Sequence, residues 1–131
     1  MIEVVDIGRA LAGRSRLEGR GPHTTEAEAA AAFATLARFG DGAIFAGGFS
    51  GRSPWERHRG GDELVHVLEG AATLTVIEDD EPVSVALHAG SLVVVPRGRW
   101  HRFHAPTGVT LLTATPQPTD HSSAEDPRAA G

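Results

Sequence analysis

Along this chain the apolar positions come in short runs of strand length, and from residue 43 onward turn residues cut the runs at regular intervals. Residues 43–49, 71–78, 82–88, 91–95, 100–104 and 109–115 each read as a β-strand. Between them, residues 78–82, 88–90, 96–98 and 105–108 carry the Gly, Pro and Asp of tight connections. A further hairpin is centred on Arg59, Gly60, Gly61 and Asp62. Short antiparallel strands at this spacing predict an all-β double-sheet jelly roll enclosing a small cavity.

The pattern differs at both ends. Residues 2–7 form a short β-type run suited to an edge strand, and 8–22 read as an Arg/Gly-rich connection whose arginines suit a solvated loop. Residues 24–38 predict a helix: Thr25 and Glu28 have capping-box spacing, an alanine run follows, and Gly40 stops it. Ala29, Phe33 and Leu36 would face the core. Residues 116–131 hold three prolines among polar and acidic residues and read as a mobile tail. The expected organisation is an extension over 1–42 with one strand and one helix, a barrel over 43–115, and a tail over 116–131.

Composition narrows the function classes. With 131 residues and 40% hydrophobic content the chain suits one domain with a real core. It has no cysteine, so thiolate ligands and disulfides are excluded, and any metal must be held by imidazole and carboxylate. A net charge of −5 without a basic face argues against nucleic acid as a partner. All twelve basic residues are arginine, which excludes a Schiff-base lysine. No apolar run approaches transmembrane length and the start has no basic-then-apolar leader pattern, so no membrane partner and a cytoplasmic location are expected.

The candidate chemistry lies between Trp55 and Gly70. Glu56 and His58 are two apart and leave the same face of an extended strand; the Gly60-Gly61 turn then folds Glu63 back towards them. Three groups able to hold a metal converge across one hairpin, and His101, after the Pro96 to Gly98 turn, offers another ligand from elsewhere. By strand parity His66 and His104 point away from this face, whereas Phe103 shares that of His101 and should line a pocket. His23 and His88 are expected at the surface, and His121, in the tail, is not expected to be a ligand. Trp55 and Trp100 would shield the pocket mouth or fill a subunit contact. Arg97 and Arg99 would either meet an anionic substrate or stand solvated in their turn.

These two segments resemble the paired signature motifs of the cupin superfamily. Glu63 and Gly70 fit the end of the first motif, and Gly90, Pro96, Gly98 and His101 fit the second at every spacing. Glu56 stands where the family has its first histidine, Ala105 replaces a final asparagine, and Gly51 is one residue off the opening glycine. The resemblance implies a double-stranded β-helix, the cupin barrel, and a divalent metal held by His58, Glu63 and His101, with iron(II), manganese(II), nickel(II) and zinc(II) all compatible. Two histidines and one carboxylate would leave positions open for substrate or dioxygen. Glu56 either completes four protein ligands or acts as a general base. The expected metal set is therefore Glu56, His58, Glu63 and His101, with Trp55, Arg99 and Phe103 around the pocket. The family includes dioxygenases, isomerases, lyases and polyketide-processing proteins, so the implied activity is metal-dependent chemistry on a small organic molecule. The alternative is a binding module without turnover. Small cupins commonly pair, which implies a homodimer.

Overall fold

The computed structural model describes residues 2–128. Its elements are α1 (Ile7–Ala12), β1 (Leu17–Arg20), α2 (Glu26–Ala32), β2 (Phe33–Phe39), β3 (Gly42–Arg52), β4 (Trp55–His58), β5 (Glu63–Glu78), β6 (Glu81–His88), β7 (Leu92–Val95), β8 (His101–Thr115) and β9 (Thr119–Ser122). The sheet path runs β1-β3-β8-β4-β9, with β2 also on β3, while β5 joins β8 to β6 and β7. The long strand β8 thus pairs with β3, β4 and β5, and the sheet curls round it into the expected all-β barrel.

Alternation fills the interior. On β5, Glu63, Val65 and Val67 point inward, then Ala72, Leu74 and Val76; on β8, His101, Phe103 and Ala105 do so, then Leu111, Thr113 and Thr115. The core cluster joins these apolar residues to Phe49, Leu87, Val95 and Val109. Glu63 and His101 are the polar ends of the same inward rows, which carries them into the barrel.

Four expectations are corrected. Residues 2–7 form no strand; a short helix begins at Ile7, capped by the Asp6 carboxylate, which accepts from Arg9 N at 2.9 Å. The capping box of Thr25 and Glu28 is present, but the helix ends at Ala32, and residues 33–39 become β2 along β3. Phe33 and Thr35 are residues that fit a pleated surface, and pairing with β3 overrides the helical bias of the preceding alanines. Residues 105–108 are not a hairpin turn. They lie inside β8, where the register with β3 shifts and Gly70 of β5 backs closely on the Gly108 carbonyl. Finally, the segment after residue 115 is not a free tail, because β9 pairs antiparallel with β4 from Trp55↔Ser122 to His58↔Thr119. Arg57 and Arg59 both reach the Asp120 carboxylate, at 2.9 and 2.8 Å, and the Trp55 indole donates to the Glu125 carbonyl at 3.1 Å. No described helix is long and apolar enough to cross a membrane.

Candidate metal centre

Three elements meet at the polar end of the barrel. His58 closes β4, Glu63 opens β5 and His101 opens β8; their ligand atoms all lie within 4.8 Å of one another, and all three residues are buried. The Gly98 backbone, at φ +76°, makes the turn that delivers His101, and Gly98 N donates to the His58 carbonyl at 2.9 Å. Both histidines aim Nε2 at Glu63: His101 Nε2 lies 3.1 Å from Oε1 and His58 Nε2 3.2 Å from Oε2.

The surrounding shell fixes these orientations. His101 Nδ1 sits 3.1 Å from the Arg99 carbonyl, an acceptor, so Nδ1 carries the proton and Nε2 is turned inward. His58 Nδ1 lies 3.0 Å from Thr119 Oγ1 on β9, and the Thr115 hydroxyl donates to Glu63 Oε2 at 2.7 Å. Burial by itself pushes the Glu63 pKa up, but the polar contacts and charges of His101 and His58 outweigh it and bring the carboxyl down to about 2. Burial likewise works against a charged His101, yet the Glu63 carboxylate, aided by the Arg99 carbonyl and the Glu56 charge, holds its pKa above the ordinary imidazole value.

One atom tests whether a metal fits. His58 Nε2 is buried and, although 3.2 Å from Glu63 Oε2, makes no regular hydrogen bond. An imidazole nitrogen left this way is costly unless something else takes its lone pair. A divalent ion drawn by two inward Nε2 atoms and an ionised carboxylate does so, and the donor set is that of a two-histidine, one-carboxylate site. The residues fit the ion.

The other expected residues fall around this cluster. Glu56 is not one of the three converging residues; its side chain lines the adjoining cavity, with Oε2 3.6 Å from His121 Nε2. That cavity, about 380 Å³, is also lined by Glu63, Phe103, Thr115 and Thr119. Trp55 is buried beside a neighbouring cavity under Arg102, whose guanidinium carbon is 4.4 Å from the ring centroid. Arg99 contributes its backbone carbonyl, and its side chain is not part of the lining of the 380 Å³ cavity. Trp100 packs under Arg57, 4.6 Å from ring centroid to guanidinium carbon, and His104 is exposed as its parity requires. His121, expected in a mobile tail, instead lines this cavity because β9 pairs with β4. Sequence reasoning also missed three further residues, Thr115, Thr119 and Arg20. The first two are polar residues on an inward row and on a strand hidden in a proline-rich segment, and the third lies in a stretch read as a solvated loop.

A curled antiparallel barrel with a His/Glu/His cluster at one end defines a β-barrel protein with a candidate metal centre. The chain matches the cupin domain family model over residues 46–114. That is more than half its length, and the chain belongs to this family. Over 49 residues it is 41% identical to an acireductone dioxygenase of Rhodopseudomonas palustris, a match covering 37% of this chain and 29% of that protein. Among solved structures, a Neisseria meningitidis protein aligns over 92% of this chain and 100% of its own at TM-score 0.63 and 18% identity. A hydroquinone 1,2-dioxygenase from Sphingomonas, solved with 4-hydroxybenzoate bound, aligns over 70% and 67% at TM-score 0.54 and 16% identity. Likeness at these identities concerns the fold alone.

Proposed function

We propose that the protein is a divalent-metal-dependent enzyme acting on a small organic molecule held in the barrel, with dioxygenase-type oxidation as its leading chemistry. The observation that carries this reading is the buried, partnerless His58 Nε2 facing an ionised Glu63 and the inward Nε2 of His101. The local similarity to an acireductone dioxygenase supports the choice among metal-dependent reactions. His58, Glu63 and His101 would hold the ion, with Thr119, Thr115 and the Arg99 carbonyl keeping the three donors aimed. When bound, such an ion supplies a Lewis acid and a centre for redox chemistry to ligand oxygens.

Glu56 takes the proton-handling role. It lines the cavity and its carboxylate can accept a proton from a hydroxyl or activated carbon of the bound molecule, with His121 Nε2 3.6 Å from Oε2 holding the carboxylate in place before the transfer. Phe103 and Leu111 line the same space and exclude water from the reacting groups.

The test is oxygen uptake by iron(II)-loaded protein across a panel of hydroquinones, catechols and enediols, with Glu56→Gln alongside. We expect uptake with at least one class, and a fall of about 100-fold or more in Glu56→Gln with metal retained, the size usual for a lost general base. Protein that holds metal and binds these molecules but never consumes oxygen would be a binding module or an enzyme of another class. Loss of metal in Glu56→Gln would make Glu56 a ligand instead.

A further inference from the structure

The cavity beside the metal centre contains a cation with no hydrogen-bond or ion-pair partner among the described residues. Arg20, the last residue of β1, reaches into it from the N-terminal extension. β1 runs parallel to β3 with Arg20 opposite Gly51, whose φ of +98° and missing side chain let the Arg20 backbone come into contact. The guanidinium carbon lies 4.8 Å from the Phe49 ring centroid and 5.8 Å from that of Phe33. Among the described residues no protein oxygen accepts a hydrogen bond from this side chain or forms an ion pair with it, and its Nε is buried without a partner. Glu26, Glu56 and Glu63 line the same cavity, and none of the three forms such a pair with Arg20.

A half-buried guanidinium set against two phenyl rings, with the Glu56 charge acting on it across the cavity but no oxygen in direct contact, is an unfavourable arrangement for a resting protein. Its planar fork matches a carboxylate in two-point geometry, and the rings hold that fork in place. The rest of the lining limits the size and character of the anion: Phe33, Phe45, Phe49, Phe103 and Leu111 make the walls apolar, and the volume of about 380 Å³ suits a small ligand. The neighbouring cavity shares Arg20 and is lined by Arg52 and Arg102 together with Glu26 and Glu125, so its other charges balance and Arg20 is left in excess.

We propose that Arg20 is the anion anchor of the cavity and that the ligand is a small carboxylic acid with an apolar or aromatic body, its carboxylate on Arg20 and its other end towards His58, Glu63 and His101. The second half of that orientation rests on the metal-centre reading; the first does not. Arg20 lies outside the 46–114 segment shared with the family, so this specificity comes from a part of the chain that the family match does not cover.

The experiment is calorimetric titration of the protein as purified, its metal content measured on the same sample, with benzoate, phenylacetate and isovalerate and with the neutral benzamide. Arg20→Gln and Arg20→Lys, each checked for an unaltered thermal transition, are titrated in parallel, with His101→Ala as a reference. Expected are carboxylate binding by the wild type, affinity about 10- to 100-fold weaker in Arg20→Gln, partial recovery in Arg20→Lys, and benzamide indifferent to all of these changes. Unchanged carboxylate affinity in Arg20→Gln, with the loss appearing in His101→Ala, would put the carboxylate at the histidine cluster and overturn the proposal. So would failure of the wild type to bind any of the three acids. Arg20-dependent binding by protein that stays empty of metal after incubation with iron(II), manganese(II), nickel(II) and zinc(II) in turn would uphold the anchor and sink the metal reading.

Discussion

Glu63 does two things at once. It is the carboxylate of the candidate metal cluster, and in the metal-free protein it is the counter-ion of a buried imidazole. The two roles respond oppositely to pH. His101 has a raised pKa in the folded chain, so its pairing with Glu63 stabilises fully below the unfolded value of 6.5 and is lost as pH rises through the folded value. Glu63 has a depressed pKa, so its contribution is present above the ordinary 4.5 and is lost as pH falls through it towards about 2. A metal ion, in contrast, needs His101 Nε2 unprotonated. Chelated protein is therefore expected to lose thermal stability as pH rises above 6.5 and through the raised folded value of His101, while the increment in melting temperature on adding zinc grows over the same interval. A zinc increment that shrinks with rising pH would contradict this balance. At this scale much of the site was legible: the parity of Glu56 with His58, the glycine turn before Glu63 and the spacing from Pro96 to His101 all follow from strand geometry. Arg20 was not, because nothing local distinguishes a loop arginine in solvent from one that a distant glycine admits to a cavity.

Among the elements, β9 has the largest consequence for the site. Its composition reads as unable to bury apolar surface, yet it is held by backbone pairing to β4 and by Asp120 between Arg57 and Arg59, neither of which depends on apolar content. That pairing sets Thr119 opposite His58 and His121 opposite Glu56. Thr119→Val keeps strand propensity and removes the hydroxyl at His58 Nδ1. We expect zinc affinity, measured by competition with a chromogenic chelator, to weaken by about 10-fold with little change in melting temperature of the chelated protein, as for other groups that orient a metal-ligating histidine. Unaltered affinity would mean that β9 covers the site without orienting it. The α2 to β2 junction shows the limits of local pattern in another way. The capping box located the helix start, but its end depended on β3, a partner separate in sequence, and a run of alanines carries no information about such a partner.

For the molecule as a whole, the barrel is organised around β8, which touches β3, β4 and β5 and so fixes the relation of all three candidate ligands. His101 is itself on β8, His58 lies on β4 beside it, and Glu63 begins the strand that pairs with its far half. The inward rows of β5 and β8 change from Val and Leu to Glu, His and Thr at this end, so an apolar core and a polar site share one interior. Alternation and turn spacing made the barrel legible from sequence. The two long strands were each read as two, because Gly70 and Gly108 mark a mutual bend and glycine is equally the signal of a turn. The most direct measurement of the central claim is the metal content of purified protein by plasma mass spectrometry, with Glu63→Ala and His101→Ala prepared in the same way. The account predicts about one divalent ion per chain in the wild type and near none in either variant. Wild-type protein that stays empty after incubation with iron(II), manganese(II), nickel(II) and zinc(II) in turn would contradict it.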